Sequence, residues 1–244
     1  MRHNQETMEK AHPLCKIHTL LILFENELSQ REIPAFRGAV AASVPRDLVL
    51  FHNHEGDTLR YRYPLIQYKR IGGKAALLCI GEGTETISAF FQQQPLRLRI
   101  GQREEQFTVA KIQADQWLLQ TWQSEFEYTL RKWLPFNQEN YAAYQSAAGL
   151  AEQVQLLEKI LTGNMLSLCT GLDVHIETNI TCHITSILDQ HIYSYKGVRM
   201  QGFDIAFRTN LLLADYIGFG KGVSHSFGIV HRNKERKQEQ ENKI

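Results

Sequence analysis

Three features of the amino-acid sequence predict an α+β chain of two tandem ferredoxin-like domains. Elements in the first half follow the order β-α-β-β-α-β, with one extra strand. The second half has room for a modified repeat of that architecture. A glycine-rich loop near the C-terminus then feeds a last strand. The predicted division is 1–114 for the N-terminal domain, 115–232 for the C-terminal domain with its loop, and 233–244 for a charged tail read as disordered. A chain of 244 residues, 43% of them hydrophobic, can bury such cores, as one large domain or two of about 100–120 residues.

Leu14 to Glu25 contains an unbroken apolar run ending at Phe24 and reads as a buried first strand. Ser29 and Glu32 have capping-box spacing. Ile33, Phe36, Val40 and Val44 recur at helical intervals, so a helix is expected over about 31–44, ended by Pro45. Leu48 to Phe51 is read as a short second strand, running into His52-Asn53-His54 and the turn Glu55-Gly56-Asp57. Leu59 to Tyr68 alternates, and Arg60 and Arg62 give it one basic face. Gly72-Gly73 turns the chain into a strand over Ala75 to Ile80. Ile87, Phe90 and Phe91 mark a helix over about 84–93, broken by Pro95. Leu96, Leu98 and Ile100 then alternate with arginines as a strand. Gln102 to Ala114 either adds a strand or serves as a bridge.

In the second half, Trp117 to Trp133 is strand-like and aromatic. A short helical piece spans Gln138 to Ala148. Leu150, Val154, Leu157 and Leu161 predict an amphipathic helix that stops at Gly163-Asn164. Val174 to Thr185 alternates apolar and polar residues, and Ile187 to Tyr195 and Phe203 to Phe207 are further strands. Val223 to Val230 reads as the last one.

Net charge is +1, which by itself argues for no nucleic-acid partner. The distribution is less even. Arg60, Arg62, Lys69, Arg70 and Lys74 fall between Leu59 and Gly81 with no acid, and residues 191–244 hold nine Lys/Arg against five Asp/Glu. Such local excess suits a stripe that tracks phosphates, or two ordinary solvated faces. Cys15, Cys79, Cys169 and Cys182 form no Cys-x-x-Cys clip and sit among apolar neighbours, so they are read as reduced core residues of a cytoplasmic protein. Met1 to Pro13 has no secretory pattern, and no apolar run nears the ~18 residues of a membrane span.

The loop carries Gly218, Gly220, Gly222 and Gly228 within eleven residues, with Lys221 among them. Glycine allows φ > 0 and close approach of another backbone or a phosphate, and consecutive amides in such a turn make an anion-binding concavity. A packed hairpin turn is the plain alternative. A Walker loop is excluded, because Gly222 rather than Ser or Thr follows Lys221. A dinucleotide fingerprint is excluded, because a strand rather than a helix is expected next. His52 and His54 are two apart beside a basic strand, so they share a strand face and offer a general base near neutral pH. Their other reading is a pair with no catalytic task. The literal His-Asn-His tripeptide lacks the long spacing of HNH nucleases, and no Cys/His cluster completes a zinc site, so no metal and no cofactor are expected. His183 and His191 are read as structural, and His225 lies in the loop.

Ile217 to Val230 resembles the glycine-rich signature of the CRISPR repeat-processing endoribonucleases, the sixth Cas family of the RAMP superfamily, whose domains are RRM-like. Phe36-Arg37-Gly38-Ala39, Phe51 to His54 and Tyr63 to Lys69 extend the resemblance from about Pro34 to Val230. Members often carry glycine where Ser226 stands. The resemblance implies metal-independent cleavage of CRISPR repeat RNA through attack by the 2′-OH, with a 2′,3′-cyclic phosphate and a 5′-hydroxyl as products. It places the catalytic histidine at His52 or His54, without deciding between them. It puts Arg37, Arg60, Arg62, Lys69, Gly218, Gly220, Lys221, Gly222 and His225 at the RNA. Some relatives add a tyrosine on the first helix and a lysine after the histidine; here Arg37 stands on that helix without a tyrosine, and the stabilising cation stays unassigned. Implied partners are repeat or guide RNA, other Cas proteins of an effector complex and a second copy in a homodimer, and no membrane. A non-cleaving guide-RNA-binding subunit and a metal-dependent nuclease are the competing readings.

Overall fold

The computed structural model describes residues 15–233, apart from 53, 56–57, 60–62 and 93–94; at 52, 54, 55, 58 and 59 it describes backbone alone. The predicted basic face at Arg60 and Arg62 and the predicted tail beyond Asn233 lie outside the described residues. In chain order the first half holds β1 (Lys16–Glu27), α1 (Ile33–Ala42), α2 (Val49–His52), β2 (His54–Glu55), β3 (Thr58–Leu59), β4 (Ile66–Ile71), β5 (Lys74–Ile80), α3 (Gly83–Thr86), α4 (Ser88–Phe91), β6 (Arg97–Ile100), β7 (Arg103–Gln106) and β8 (Val109–Leu118). The second half holds β9 (Thr121–Trp133), α5 (Gln138–Ser146), α6 (Leu150–Gly171), β10 (Cys182–Tyr195), β11 (Val198–Leu211) and β12 (Ile229–Arg232).

Each half builds one antiparallel four-stranded sheet, in the orders β4-β5-β1-β8 and β10-β11-β9-β12. Numbered within its own half, each sheet reads 2-3-1-4, the arrangement of a ferredoxin-like unit. The halves differ in what precedes their last strand. In the first it is α3, α4 and the β6–β7 hairpin. In the second the glycine-rich loop replaces the helix, carrying one 3₁₀ turn at Val223–His225.

In the first sheet, β4 and β5 are buried on both faces. Ile22, Phe24, Ile66, Tyr68, Leu77 and Cys79 pack on α1 and α4 with Phe36, Val40 and Phe90. Leu65, Leu78, Ile80, Ile17 and Trp117 turn the other way, into a core shared with the second half, where Tyr128, Leu130, Phe203, Phe207 and the α6 residues Leu157, Leu161, Met165 and Leu168 close it. One side of β4 therefore forms the seam between the domains. Among the described residues no helix is long and apolar enough to cross a membrane.

Five local expectations change. Residues 49–52 form a helical turn, not a strand, because buried Phe51 continues the α1 core instead of joining a sheet. The strand at 97–100 pairs only with 103–106, and β8 supplies the first sheet's fourth strand through nine register pairs with β1. α6 runs through Gly163-Asn164, since Met165, Leu168 and Cys169 prolong its buried face and Asn164 Oδ1 accepts from Trp133 Nε1 at 3.0 Å. Residues 174–181 are not strand, and the final strand begins only at Ile229.

Candidate nucleic-acid interface at the domain seam

The glycine-rich loop is a packed turn with its charged side outward. It bends through left-handed backbone at Gly220, Gly222, Ser226 and Gly228, with φ of +80°, +73°, +63° and +61°. A Cβ on Gly228 would lie 1.8 Å from the Phe219 carbonyl oxygen, so no other residue fits while Phe219 N–H donates to the Gly228 carbonyl at 2.8 Å. Gly218 is buried, and its amide donates to Gln67 Oε1 at 3.1 Å. Its carbonyl accepts the Tyr63 hydroxyl at 2.8 Å, and that hydroxyl also accepts from Gln67 Nε2 at 3.0 Å.

Further ties cross the seam. The Arg70 amide, on the outer edge of β4, donates to Ser226 Oγ at 2.9 Å. Ser226 is 1% exposed, and this bond accounts for a serine at a left-handed position: its hydroxyl caps an edge amide that the loop would otherwise bury unpaired. Gln30 Nε2 donates to the His225 carbonyl at 3.0 Å, and Lys132 Nζ donates to Gln30 Oε1 at 2.9 Å.

The predicted RNA contacts separate accordingly. Lys69 is wholly buried on the seam side of β4 and its Nζ has no hydrogen-bond partner among the described residues, so it is not the surface phosphate contact the basic stretch suggested. Burial pulls its pKa down from 10.5 to about 7. Gly218 is likewise corrected to a packing position, since its amide is spent on Gln67. Gly220 packs its α-carbon on Leu134 and Trp133 and is half-buried. Gly222 packs against Phe227 and Tyr195. Lys221 is exposed, with its amide donating to the Leu134 carbonyl at 2.9 Å.

His225 and Arg37 do come together. α1 packs on the loop's 3₁₀ turn. Burial first, then the Arg37 guanidinium and the Lys196 ammonium, push the His225 imidazole down to about 4. It is therefore neutral at physiological pH and can hydrogen-bond or stack but carries no charge. Its Nδ1 is buried without a partner, and its ring lies edge-on to Tyr195, centroids 5.7 Å apart. Tyr195 and Lys196 stand at the tip of the β10–β11 hairpin, where Lys196 and Gly197 both take positive φ in a two-residue turn. These two residues were missed; the Lys196-Gly197 dipeptide between two strands was their signal.

His52 ends α2 and His54 opens β2, and their side chains lie outside the described residues. Both ends of their segment are anchored. Phe51 is 1% exposed in the first core, and Tyr63 is bonded to the loop at Gly218. The segment thus rejoins the body at the seam.

Two sheets of order 2-3-1-4, with a glycine-rich turn of the second packed on β4 of the first, define a tandem ferredoxin-like protein. Family models describing the Cas6b N-terminal and C-terminal domains match residues 15–117 and 120–233, and the chain belongs to the Cas6b family. A crystal structure of Cas6b superposes with a TM-score of 0.81 at 24% identity, covering 90% of this chain and 100% of the other. A crystal structure of the CRISPR RNA processing endoribonuclease Cas6b gives 0.70 at 22%, with 90% and 100% covered. An uncharacterized protein of Methanocaldococcus jannaschii is 35% identical over 103 residues, 42% of this chain and 69% of that protein.

Proposed function

We propose that this Cas6b chain is an endoribonuclease that cuts CRISPR repeat RNA in precursor transcripts without a metal ion. The imidazole of His52 or His54 takes the proton from a ribose 2′-OH. The 2′-oxygen attacks the adjacent phosphorus and the bond to the 5′-oxygen breaks. That oxygen leaves with a proton, giving a 2′,3′-cyclic phosphate and a 5′-hydroxyl. Arg37 and Lys196, with Arg60 and Arg62, supply positive charge along the path of the phosphates; Lys221 and the amide of Gly222 extend it.

The observation that carries this reading is the bond from the Tyr63 hydroxyl to the Gly218 carbonyl. It ties the end of the histidine-bearing segment to the loop that brings His225 beside Arg37, which supports a single RNA path along the seam. End-labelled repeat RNA incubated with the protein in excess EDTA is expected to be cut, and the product to carry a cyclic phosphate. His52→Ala or His54→Ala, whichever removes the base, is expected to lower the single-turnover rate by about 10²–10⁴-fold with binding retained. Loss of cutting in EDTA, or full rates in both variants, refutes the mechanism. A 2′-deoxy substitution at the cut site should block cleavage and spare binding.

A further inference from the structure

One groove of the C-terminal domain lies outside the seam. Its lining joins the loop residues Gly220 and Lys221 to the flank of α6 at Lys159 and to the start of α5. It holds two lysines, three asparagines and one serine, and no carboxylate. Lys159 and Lys221 are exposed and come from separate elements, and neither makes an ion pair among the described residues. The floor is kept open at Gly163, where a Cβ would meet nothing within 4 Å, and the Ser167 hydroxyl folds back onto the Gly163 carbonyl at 3.0 Å. Asn164 accepts the Trp133 indole N–H through Oδ1, which leaves its amide hydrogens free.

We propose that this groove holds an unpaired flank of the RNA transcript, a contact that rests on the reading of the chain as a repeat-RNA endoribonuclease. A pair of unneutralised lysines calls for an anion. Free amides and the apolar Pro135, Leu156 and Ile160 beside them suit bases whose edges and faces are open. A duplex would use the lysines and leave the rest idle, since it hides its base edges. Four residues beyond Lys221 the same loop carries His225 into the seam, so a strand leaving the seam reaches the groove along the loop.

The test compares repeat RNA without flanks to the same RNA extended by about 8 unpaired nucleotides on the 5′ or the 3′ side, a span such sites cover. Lys159→Glu should weaken binding of one extended RNA about tenfold and leave the unextended RNA unchanged. Lys159→Gln should lower the slope of log affinity against log salt by about 0.7 on that same RNA. Lys159 is exposed on its helix, so both variants should melt like the parent. Equal affinity for every RNA overturns the proposal and leaves the groove to an acidic protein surface. An equal loss on extended and unextended RNA overturns it too, since a general field would act on both. If the parent protein binds no repeat RNA, the proposed function itself fails and takes this contact with it.

Discussion

The ammonium of Lys69 has been carried out of water with no hydrogen-bond partner among the described residues. It lies on the seam side of β4, wholly buried, 3.0 Å from where a Cβ on Gly218 would stand. Gln67 is committed to Gly218 and Tyr63, and His231, on β12, feels the Lys69 charge as a further push downward. Burial lowers the lysine from 10.5 to about 7, so from pH 7 to 10.5 the unfolded chain holds a proton that the folded chain has shed. Stability therefore rises with pH across that window, and the penalty is greatest at and below pH 7. Lys69→Met is expected to unfold at higher urea than the parent at pH 7, with the advantage shrinking as pH approaches 10.5. Parallel curves from pH 7 to 10 would show that the charge is compensated. The sequence could not give this position. Lys69 sits beside Arg70 in a stretch without acids, and a polar residue on a strand buried on both faces carries no mark of it.

At the scale of elements, two glycines of the recognised stretches make opposite demands. Gly228 has φ +61° and its missing Cβ clears the Phe219 carbonyl by necessity. Gly38 lies mid-way along α1, exposed, with nothing within 4 Å of a Cβ. Gly228→Ala should cost more than about 2 kcal/mol and unseat the loop. Gly38→Ala should raise stability by about 0.5–1 kcal/mol through helix propensity alone. Urea unfolding of the two variants checks both signs, and a destabilised Gly38→Ala would mean that α1 is not helical there. Elements with long, strongly periodic patterns were legible, among them β1, β5, α1 and α6. Failures came where packing overrode pattern. Phe51 looked like a strand residue and serves a helix core. Leu98 and Ile100 alternate as a strand should, but their hairpin caps the helical face of the sheet, and exposed β8 takes the edge beside β1. The loop itself stood out by its glycines, although they serve packing, Gly218 on β4 and the others on Trp133, Phe227 and Phe219, and its charged crest faces outward.

At the scale of the whole molecule, among the described residues five side-chain hydrogen bonds cross the seam between the two domains beside the shared core. Strictly, the Lys132 bond returns to its own half's loop through Gln30, so the domains are clasped in a ring: Lys132 to Gln30, Gln30 to the His225 carbonyl. Tyr63 is the member that also bounds the histidine segment. Tyr63→Phe keeps the ring in place and removes one hydroxyl, leaving the Gly218 carbonyl buried without its donor; Gln67 Nε2 keeps the Pro64 carbonyl at 3.0 Å. The loss should cost about 1–3 kcal/mol in urea unfolding. Well below the melting point, where the variant is folded, single-turnover cleavage at saturating RNA should fall about tenfold, because in the proposed mechanism the base would be held less firmly against the 2′-OH. The pH dependence of the remaining rate should keep its shape, since the base is the same group. A destabilised variant that cuts at the full rate would mean that the tie serves folding alone and that the histidine segment finds its position from the RNA.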